Sequence, residues 1–374
     1  MYRRLPDVCS HNFEIWLPLY MVMGITEILD GYDMSDLAIT TVCSHSSMQI
    51  FDGARKEGLR SIGIAIEEPL RFYDAFPLGS PDEFFTVNDW ANVKDYAVQL
   101  RKKNALVVPT GSFVEYMGAD NFKQLDVPVY GNRDVLEWES NRQKERQWLM
   151  GAGLAMPRVI EDPRDIEKPV IVKYHGAKGG KGFFIAKDHR DFKKKIDEDK
   201  PYIMQEFLVG TRYYLHYFYS PLSTDGYRVR NGSLQLLGVD RRDETNIDEA
   251  HRLGSITELE DMGIKPTFVV TGNIPIVLRE SLLKKVFRMG EKVIEKSYEL
   301  FGGLYGPFCL ETVVTEELDF KVFEISARIV AGTNIYIDGS PYANLVQPGL
   351  STGQRIAQEI KLAVEQDRLD EIIT

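Results

Sequence analysis

A glycine-rich segment between two β-rich runs constrains the fold of this chain more than any other stretch. The runs cover residues 170–172 and 183–186, and the segment between them carries four glycines and, after Lys173, two further lysines. This pattern predicts a strand, a flexible loop and a second strand. Glycine lets backbone N–H groups approach phosphate oxygens, and lysine supplies positive charge to them. The spacing fits neither the Walker nor the dinucleotide-binding pattern, so a phosphate-covering flap and an ordinary basic hairpin both stay open.

Length and charge restrict the class of protein and its partners. With 374 residues the chain has material for two or three domains, and 44% hydrophobic residues are ordinary for a globular protein. The formal net charge of −11 argues against nucleic acid as a partner. Three scattered cysteines without C-x-x-C spacing indicate neither a disulfide framework nor a zinc site, which favours a reducing cytoplasm.

An apolar stretch occupies residues 13–28. It is short for a membrane span, it is interrupted by Pro18 and Gly24, and acidic residues follow it. The small-residue cleavage site of a signal peptide does not follow either. We therefore expect residues 1–35 to form a docking segment or a peripheral helix, and we expect no membrane partner.

Strand patterns alternate with helical patterns over residues 36–132. The β-rich runs lie at 37–42, 59–66, 83–87 and 106–109. This alternation predicts a parallel, doubly wound sheet, and such sheets bind ligands at the carboxyl ends of their strands. His45 and Ser112 each follow one of these strands, which makes them candidate ligand contacts. A helix-capping role for Ser112, and for Ser46 or Ser47 beside His45, is the alternative.

The remainder of the chain carries further candidate residues. One amphipathic helix is predicted over residues 133–153, with Arg142 on it, and another over residues 353–373. A predicted strand at 202–210 contains Gln205 and Glu206, and such groups at a strand end can receive adenine and ribose hydroxyls.

An irregular polar run is predicted over residues 241–248. It places two arginines beside Asn246. These residues can hold a phosphate and an amide, or they can form a surface ion-pair cluster of little energetic value. The sequence leaves both interpretations open.

Two glutamates occur on one predicted β-hairpin. Its strands lie at 308–314 and 320–325, so Glu311 and Glu324 are nearly opposite each other. Two carboxylates among aliphatic residues require a cation, because burying them unpaired is costly. The candidates are Mg²⁺ and a structural ion pair with Arg328, and the upstream flap favours Mg²⁺.

In their order along the chain, the flap, the Gln-Glu strand end and the paired glutamates resemble the ATP-grasp ligases. Within that superfamily the chain is similar to one archaeal family, the formate-dependent 5-formaminoimidazole-4-carboxamide ribonucleotide (FAICAR) synthetases of purine biosynthesis. The resemblance lies in GNRDVLEWES, VIVKYHGAKGGKGFFIAKD, HYFYSPL, TGNIPIVLRESLL, GPFCLE, VFEISARIVAGTN and GQRIAQEI.

The resemblance implies an α/β (α+β grasp) architecture, the ATP-grasp fold with an N-terminal doubly wound pre-grasp domain. Residues 1–35 are then an N-terminal extension and residues 36–132 the pre-grasp domain. Residues 133–374 are the ATP-grasp domain, with a flap subdomain at 155–212.

The resemblance also implies an activity and a set of contacts. In this family aminoimidazole carboxamide ribotide (AICAR), formate and ATP give FAICAR, ADP and phosphate. ATP contacts are implied for Arg142, Lys173, Gly176, Gly179, Gly180, Lys181, Gly182, Gln205 and Glu206. Mg²⁺ or Mn²⁺ is implied at Glu311 and Glu324, and the ribotide at His45, Ser112 and Asn246. A cytoplasmic homo-oligomer is implied as well.

Two alternatives stay open. Where the family usually reads R-Y-E-S-N, residues 242–246 read R-D-E-T-N, which is compatible with a related ligase that acts on another acid or amine. The second alternative is a nucleotide-binding regulator without turnover. Loss of a metal carboxylate or of a phosphate-binding cation would indicate a regulator, yet Arg142, Lys173, Glu311 and Glu324 are all present.

Overall fold

Three β-sheets and the helices packed against them make up the described part of this computed structural model. The described residues are 25–66, 71–174, 182–245, 267–330 and 338–374. The chain builds one sheet after another, and the candidate site lies where elements from all three parts meet.

The first sheet has four parallel strands in the order β3-β2-β1-β4. The elements of this part are α1 (Ile25–Leu29), β1 (Ala38–Val42), α2 (Ser47–Lys56), β2 (Arg60–Ala65), β3 (Glu83–Thr86), α3 (Ala97–Arg101), β4 (Ala105–Val107) and α4 (Ala119–Lys123). The predicted parallel sheet is confirmed. The strand order reverses between β1 and β4, and ligands of such sheets bind beside the carboxyl ends at this point.

Two helices and a small antiparallel sheet of order β6-β5-β7 follow. The elements are α5 (Val135–Ser140), α6 (Arg142–Gly151), β5 (Val170–Tyr174), β6 (Phe183–Ala186), α7 (His189–Lys195) and β7 (Tyr202–Glu206). The two strands predicted for the flap pair as expected, with Lys173 opposite Phe183, and Gly182 enters β6 with φ 76°. Gly176, Gly179, Gly180 and Lys181 lie outside the described residues.

The third sheet has six antiparallel strands, in the order β11-β10-β8-β12-β13 with β9 paired to β10. Its elements, with the helices that follow them, are β8 (Thr211–Ser220), β9 (Tyr227–Val229), β10 (Gly232–Thr245), β11 (Phe268–Pro275), α8 (Leu283–Phe301), β12 (Gly306–Val314), β13 (Phe320–Ser326), α9 (Ala343–Val346) and α10 (Thr352–Glu365). We call it the large sheet.

The two faces of the large sheet differ, because successive side chains of a strand point to opposite sides. On one face Tyr217 of β8 packs in the main core and donates a hydrogen bond to the carbonyl of Val286 in α8, at 2.9 Å. On the other face Phe218 packs in the cluster that contains apolar side chains of α10. Further along this second face, Tyr214 begins a region of charged side chains. That region forms one wall of the candidate site.

Two predicted helices have different bounds in the structure. The single helix expected over residues 133–153 is two helices, because Asn141 is extended (φ −96°, ψ 107°) and its side chain accepts two N–H bonds from the first turn of α6. The C-terminal helix expected over 353–373 ends at Glu365, since Asp367 adopts the left-handed region with φ 54°. Both breaks are produced by short polar side chains that favour non-helical backbone.

The polar run at residues 241–248, predicted to be irregular, continues as a strand to Thr245, with an irregularity in its pairing between Asp243 and Thr245. Residues 241–245 extend β10, because β11 supplies hydrogen-bond partners for them. The prediction is wrong for these five positions, since pairing with a distant strand outweighs a composition that is unfavourable for strands. Asn246 lies outside the described residues.

Helices α2 and α10 cross at two glycines. A Cβ added to Gly353 would lie 2.1 Å from the carbonyl oxygen of Gln49, and one added to Gly53 would lie 2.4 Å from the backbone nitrogen of Gln354. Real Cβ atoms do not approach backbone so closely, so only glycine permits this contact. The crossing attaches the C-terminal helix to the first sheet.

Gly353→Ala is expected to lower the free energy of unfolding by about 2–3 kcal/mol, because the added methyl group forces two backbones apart. Urea denaturation measures the change. The matched control is Gly151→Ala in α6, whose added methyl would meet only the movable end of the Lys296 side chain. We expect the control to change stability by less than about 1 kcal/mol. Equal losses in both variants would contradict a rigid crossing.

Candidate active site

Glu311 and Glu324 lie directly opposite each other on β12 and β13, as the sequence predicts. Glu311 is buried and Glu324 is exposed. Burial, together with the negative charge of Glu324, raises the pKa of Glu311 to about 8. A buried carboxylate that faces a second carboxylate is stabilised in its charged form only by a nearby cation. The hairpin therefore presents a site for positive charge.

Among the residues that the structure describes, the cation closest to Glu311 comes from β10. The Arg242 Nη2 atom lies 3.6 Å from Glu311 Oε1, and the guanidinium carbon lies 3.5 Å from the ring centre of Tyr214. The alternative prediction, that Arg328 pairs with the two glutamates, is wrong. Arg328 lies beyond the end of β13 and donates to Glu139 Oε1 at 2.6 Å. Its charge is therefore already paired with a carboxylate of α5.

Lys173 of the small sheet belongs to the same electrostatic environment. Burial lowers its pKa, the positive charge of Arg142 lowers it further, and the negative charge of Glu324 opposes both. A direct contact joins the two sheets, with Lys321 Nζ of β13 lying 3.7 Å from Glu206 Oε1 of β7. The structure thus brings Lys173, Arg142 and Glu324 together, although they are distant in sequence.

Gln205 and Glu206 are the last two residues of β7. They lie opposite Ile171 and Val170 of β5, and both side chains are partly exposed. The sequence places them at a strand end, and the structure agrees, although the strand is shorter than predicted. Their position borders the gap between the small and the large sheet, which Glu206 bridges to Lys321.

Polar turns follow β1 and β4 at the reversal of the first sheet. The hydroxyls of Ser44 and Ser112 are hydrogen bonded to each other, and His45 is exposed beside them. The capping alternative is wrong for Ser46 and Ser112, since neither side chain caps the helical turn that follows it. Ser46 instead donates to the carbonyl of Val330, at 2.9 Å. These turns therefore contact each other and the segment after β13, which leaves His45 accessible.

Two buried glutamates that the sequence analysis missed hold β13 in place. Glu145 of α6 accepts a hydrogen bond from the backbone N–H of Ile325 at 2.8 Å, and Glu139 of α5 accepts one from Ala327 at 2.9 Å. Burial and the charge of nearby Glu324 raise the pKa of Glu145 to about 9. Both bonds lie just beyond Glu324, so these helices fix its position.

A signal for Glu145 exists in the sequence. It precedes Trp148 and Leu149 by three and four residues, and both of these are fully buried. That spacing puts a carboxylate on the apolar face of a helix. A carboxylate on such a face marks a buried hydrogen bond or a site, whereas Arg142 is exposed and Lys144 and Arg146 are partly exposed.

Glu145→Gln is expected to change how stability depends on pH. The folded protein binds a proton at Glu145 that an unfolded glutamate, with an ordinary pKa of 4.5, has released. Stability from this group is therefore complete below pH 4.5 and decreases as the pH rises toward about 9. Between pH 6 and 8.5 the wild type should lose at least about 1 kcal/mol more unfolding free energy than Glu145→Gln.

Urea titrations at several pH values, without nucleotide or divalent cations, measure this difference. Glu167→Gln is the matched control, since Glu167 is exposed and belongs to the same part of the chain. The control should follow the wild type at every pH. If Glu145→Gln also followed it, the protonated state of Glu145 in the folded protein would be contradicted.

The part of the chain that the structure describes has no membrane-spanning helix and no cluster of metal-binding side chains. Within those residues, no helix is long and apolar enough to cross a membrane. The same residues contain no group of three or more His, Cys, Asp or Glu side chains suited to a metal. An ion held by Glu311 and Glu324 would therefore take its further ligands from groups other than the His, Cys, Asp and Glu side chains of the described residues.

Comparisons with known proteins identify relatives along most of the chain. One family model, described as a protein of unknown function (DUF1246), matches residues 39–160, and another, described as a domain of unknown function (DUF1297), matches residues 188–374. A protein of Methanococcoides burtonii is 61% identical over 350 residues, which is 94% of this chain and 98% of that protein. It is named 5-formaminoimidazole-4-carboxamide-1-(beta)-D-ribofuranosyl 5'-monophosphate synthetase.

Solved structures show the same relationship. The IMP biosynthesis protein PurP from Thermococcus kodakaraensis superposes with a TM-score of 0.71 at 30% identity, covering 90% of this chain and 100% of that one. The N5-carboxyaminoimidazole synthetase from Staphylococcus aureus, complexed with ADP, has a TM-score of 0.57 at 16% identity and covers 85% of this chain and 78% of that one. The latter likeness concerns the fold alone.

Fold and relatives together define an enzyme of the ATP-grasp class, a ligase with a parallel N-terminal sheet. Within that class, the chain belongs to the family of 5-formaminoimidazole-4-carboxamide ribonucleotide synthetases.

Proposed function

We propose that this protein joins formate to the amine of AICAR at the expense of ATP, giving FAICAR, ADP and phosphate. The observation that carries the proposal is the convergence of Lys173, Arg142 and the Glu311–Glu324 pair, since these residues come from four separate elements. Positive side chains facing a carboxylate pair suit a polyphosphate with a divalent cation. The names of the relatives supply the acid and the amine.

Lys173 and Arg142 bind the ATP phosphates in this proposal, and Gly182 belongs to the flap above them. Gln205 and Glu206 bind the nucleoside. The flap residues Gly176, Gly179, Gly180 and Lys181 keep this assignment from the sequence. Lys173 is partly buried. Partial burial strengthens the attraction of a lysine for phosphate, because it weakens the competition from water.

The pair Glu311 and Glu324 fits Mg²⁺ or Mn²⁺ by its chemistry. Both ions prefer oxygen ligands, and Mg²⁺ in nucleotide enzymes is usually held by one or two carboxylates plus phosphate oxygens. Two carboxylates that belong to no larger cluster of His, Cys, Asp or Glu in the described residues match that preference. The bound ion would neutralise charge on the phosphates.

The reaction proceeds in two transfers. An oxygen of formate attacks the γ-phosphorus while the bond to the β-phosphate oxygen breaks, so formyl phosphate forms and ADP leaves. The amine of the ribotide then attacks the formyl carbon, phosphate leaves and the amine loses a proton. Lys173 and Arg142 stabilise the phosphoryl oxygens, and the chain otherwise positions the reactants. A nucleophilic side chain is not required.

The ribotide binds at His45, Ser112 and Asn246 in this proposal. His45 and Ser112 follow β1 and β4, where the strand order of the first sheet reverses. Such a reversal is the usual ligand position in parallel sheets. The segment after β13 touches these turns, because Ser46 donates to the carbonyl of Val330. This contact supports a ribotide position close to the hairpin that carries the glutamates.

Purified protein supplied with ATP, Mg²⁺, formate and AICAR should release phosphate and form FAICAR, detected by its absorbance or by mass. Omission of formate or AICAR should remove FAICAR formation. If the complete mixture released no more phosphate than the reactions without formate or AICAR, formate and AICAR would be excluded as the substrate pair. Release of ADP with another acid or amine in the same assay would reassign the substrate while keeping the ligase class.

We also propose a cytoplasmic location and a homo-oligomer. The cytoplasmic location rests on the scattered cysteines and, like the oligomer, on the family resemblance. Light scattering of the purified protein measures the oligomeric state.

A further inference from the structure

Arg242 combines burial with unused hydrogen-bonding capacity. Its side chain is 11% exposed. Within the described residues its buried Nε atom has no hydrogen-bond partner. A guanidinium presents five N–H donors and stays charged at physiological pH. A buried donor left unpaired is energetically costly, and an anionic ligand that accepts from it would recover that cost.

The position of this guanidinium is fixed by its neighbours. It stacks on the ring of Tyr214 with 3.5 Å between the guanidinium carbon and the ring centre. Tyr214 in turn donates to Glu244 at 3.2 Å, which holds the ring in place. Glu311 lies 3.6 Å from Arg242 Nη2, which is too long for a hydrogen bond. The arginine is thus oriented beside the carboxylate pair without being saturated by it.

The other arginines near Glu311 are engaged differently. Arg212 donates to Glu244, and Arg328 donates to Glu139. Each of these two guanidiniums already has a hydrogen-bonded carboxylate. In the described residues Arg242 lacks that kind of partner, although Glu311 senses the charge of all three arginines.

We propose that Arg242 binds the carboxylate of the acid substrate. Planar guanidinium and planar carboxylate form two parallel N–H···O bonds, a geometry that lysine does not reproduce. This inference rests on the proposed function, in which the acid is formate. A carboxylate bound at Arg242 lies next to Glu311 and hence next to the proposed metal and phosphate site, where its oxygen is used.

Arg242→Met tests the proposal, with Arg242→Lys as a variant that keeps the charge. The methionine variant should raise the KM for formate about 10- to 100-fold, because two charge-assisted hydrogen bonds are lost. The KM values for ATP and AICAR should change by less than about threefold. The KM of the lysine variant for formate should lie between the values of wild type and Arg242→Met. Added guanidinium ion should partly reverse the increase in the KM for formate of the methionine variant.

Formate binding is measured independently of turnover by exchange broadening of the formate proton NMR signal in the presence of ADP and Mg²⁺. Wild type should broaden the signal, and Arg242→Met should not. The matched control is Arg241→Met, since Arg241 is the preceding residue on β10, is exposed and lies on the opposite face. This control should behave as wild type in both measurements.

Several outcomes overturn the inference. A purely structural role for Arg242 predicts lower stability with proportionate changes in all three KM values and no rescue by guanidinium. The inference would also be overturned if either Arg242→Lys or Arg242→Met broadened the formate signal as much as wild type does. The proposed function fails separately, if wild type forms no product from formate. In that case, broadening of the formate or acetate signal by wild type but not by Arg242→Met would still support a carboxylate site at Arg242. Equal broadening by the two proteins would reject that site.

Discussion

Lys173→Met is expected to reduce kcat/KM for ATP by about 100-fold or more, because it removes the partly buried positive charge that we propose binds the ATP phosphates. Lys173 lies on β5 in the same electrostatic environment as Arg142 and Glu324. Methionine preserves the length and packing of the side chain, so a loss of activity reports the charge. The effect should appear in the KM for ATP as well as in kcat, since a triphosphate is bound in both the ground and transition states.

Initial rates of phosphate release at varied ATP concentration measure the effect. Lys168→Met is the matched control, because Lys168 precedes the same strand and is exposed. It should retain at least about half of the wild-type kcat/KM, as distant surface substitutions usually do. Thermal denaturation with and without ATP adds a second reading, since Lys173→Met should lose the stabilisation that ATP gives to wild type. Wild-type ATP kinetics in Lys173→Met would remove this lysine from the phosphate site.

Glu324→Gln is expected to reduce kcat by about 100-fold or more and to raise the Mg²⁺ concentration needed for half-maximal activity. The amide keeps the shape of the side chain but supplies no negative charge, so it is a weaker ligand for a hard cation. Glu324 is exposed, whereas its partner Glu311 is buried. Substitution of Glu324 should therefore perturb folding less than the same substitution of Glu311.

Activity as a function of Mg²⁺ concentration measures this prediction, and isothermal titration of MgADP gives a reading without turnover. Glu316→Gln is the matched control, since Glu316 is an exposed residue in the turn of the same hairpin. That variant should match wild type. Full activity and an unchanged Mg²⁺ requirement in Glu324→Gln would show that the carboxylate pair does not hold the ion.

The sequence predicts those parts of the site that depend on local pattern. The register of Glu311 and Glu324 follows from the hairpin between them, and the position of Lys173 follows from the glycine-rich segment after its strand. His45 and Ser112 follow from the rule that parallel sheets bind ligands at strand ends. The domain boundaries, the metal and the ligand contacts stay predictions.

Other parts of the site depend on contacts between distant segments, which a local pattern does not contain. Arg242 reaches Glu311 only because residues 241–245 pair with β11 and continue the sheet. Arg328 bonds to Glu139 and not to the hairpin, because helix α5 lies against the end of β13. The break at Asn141 that separates α5 from α6 was likewise decided by one side-chain cap rather than by periodicity.

The crossing of α2 and α10 has a consequence for biosynthesis. About 300 residues separate Gly53 from Gly353, which at ribosomal speeds corresponds to roughly 15–60 s of translation. Throughout that interval Ile50 and Ala54 lack the apolar side chains of α10 with which they share a core cluster in the mature protein. The nascent N-terminal layer is therefore a natural client for a chaperone, and its expression as an isolated fragment should give insoluble material.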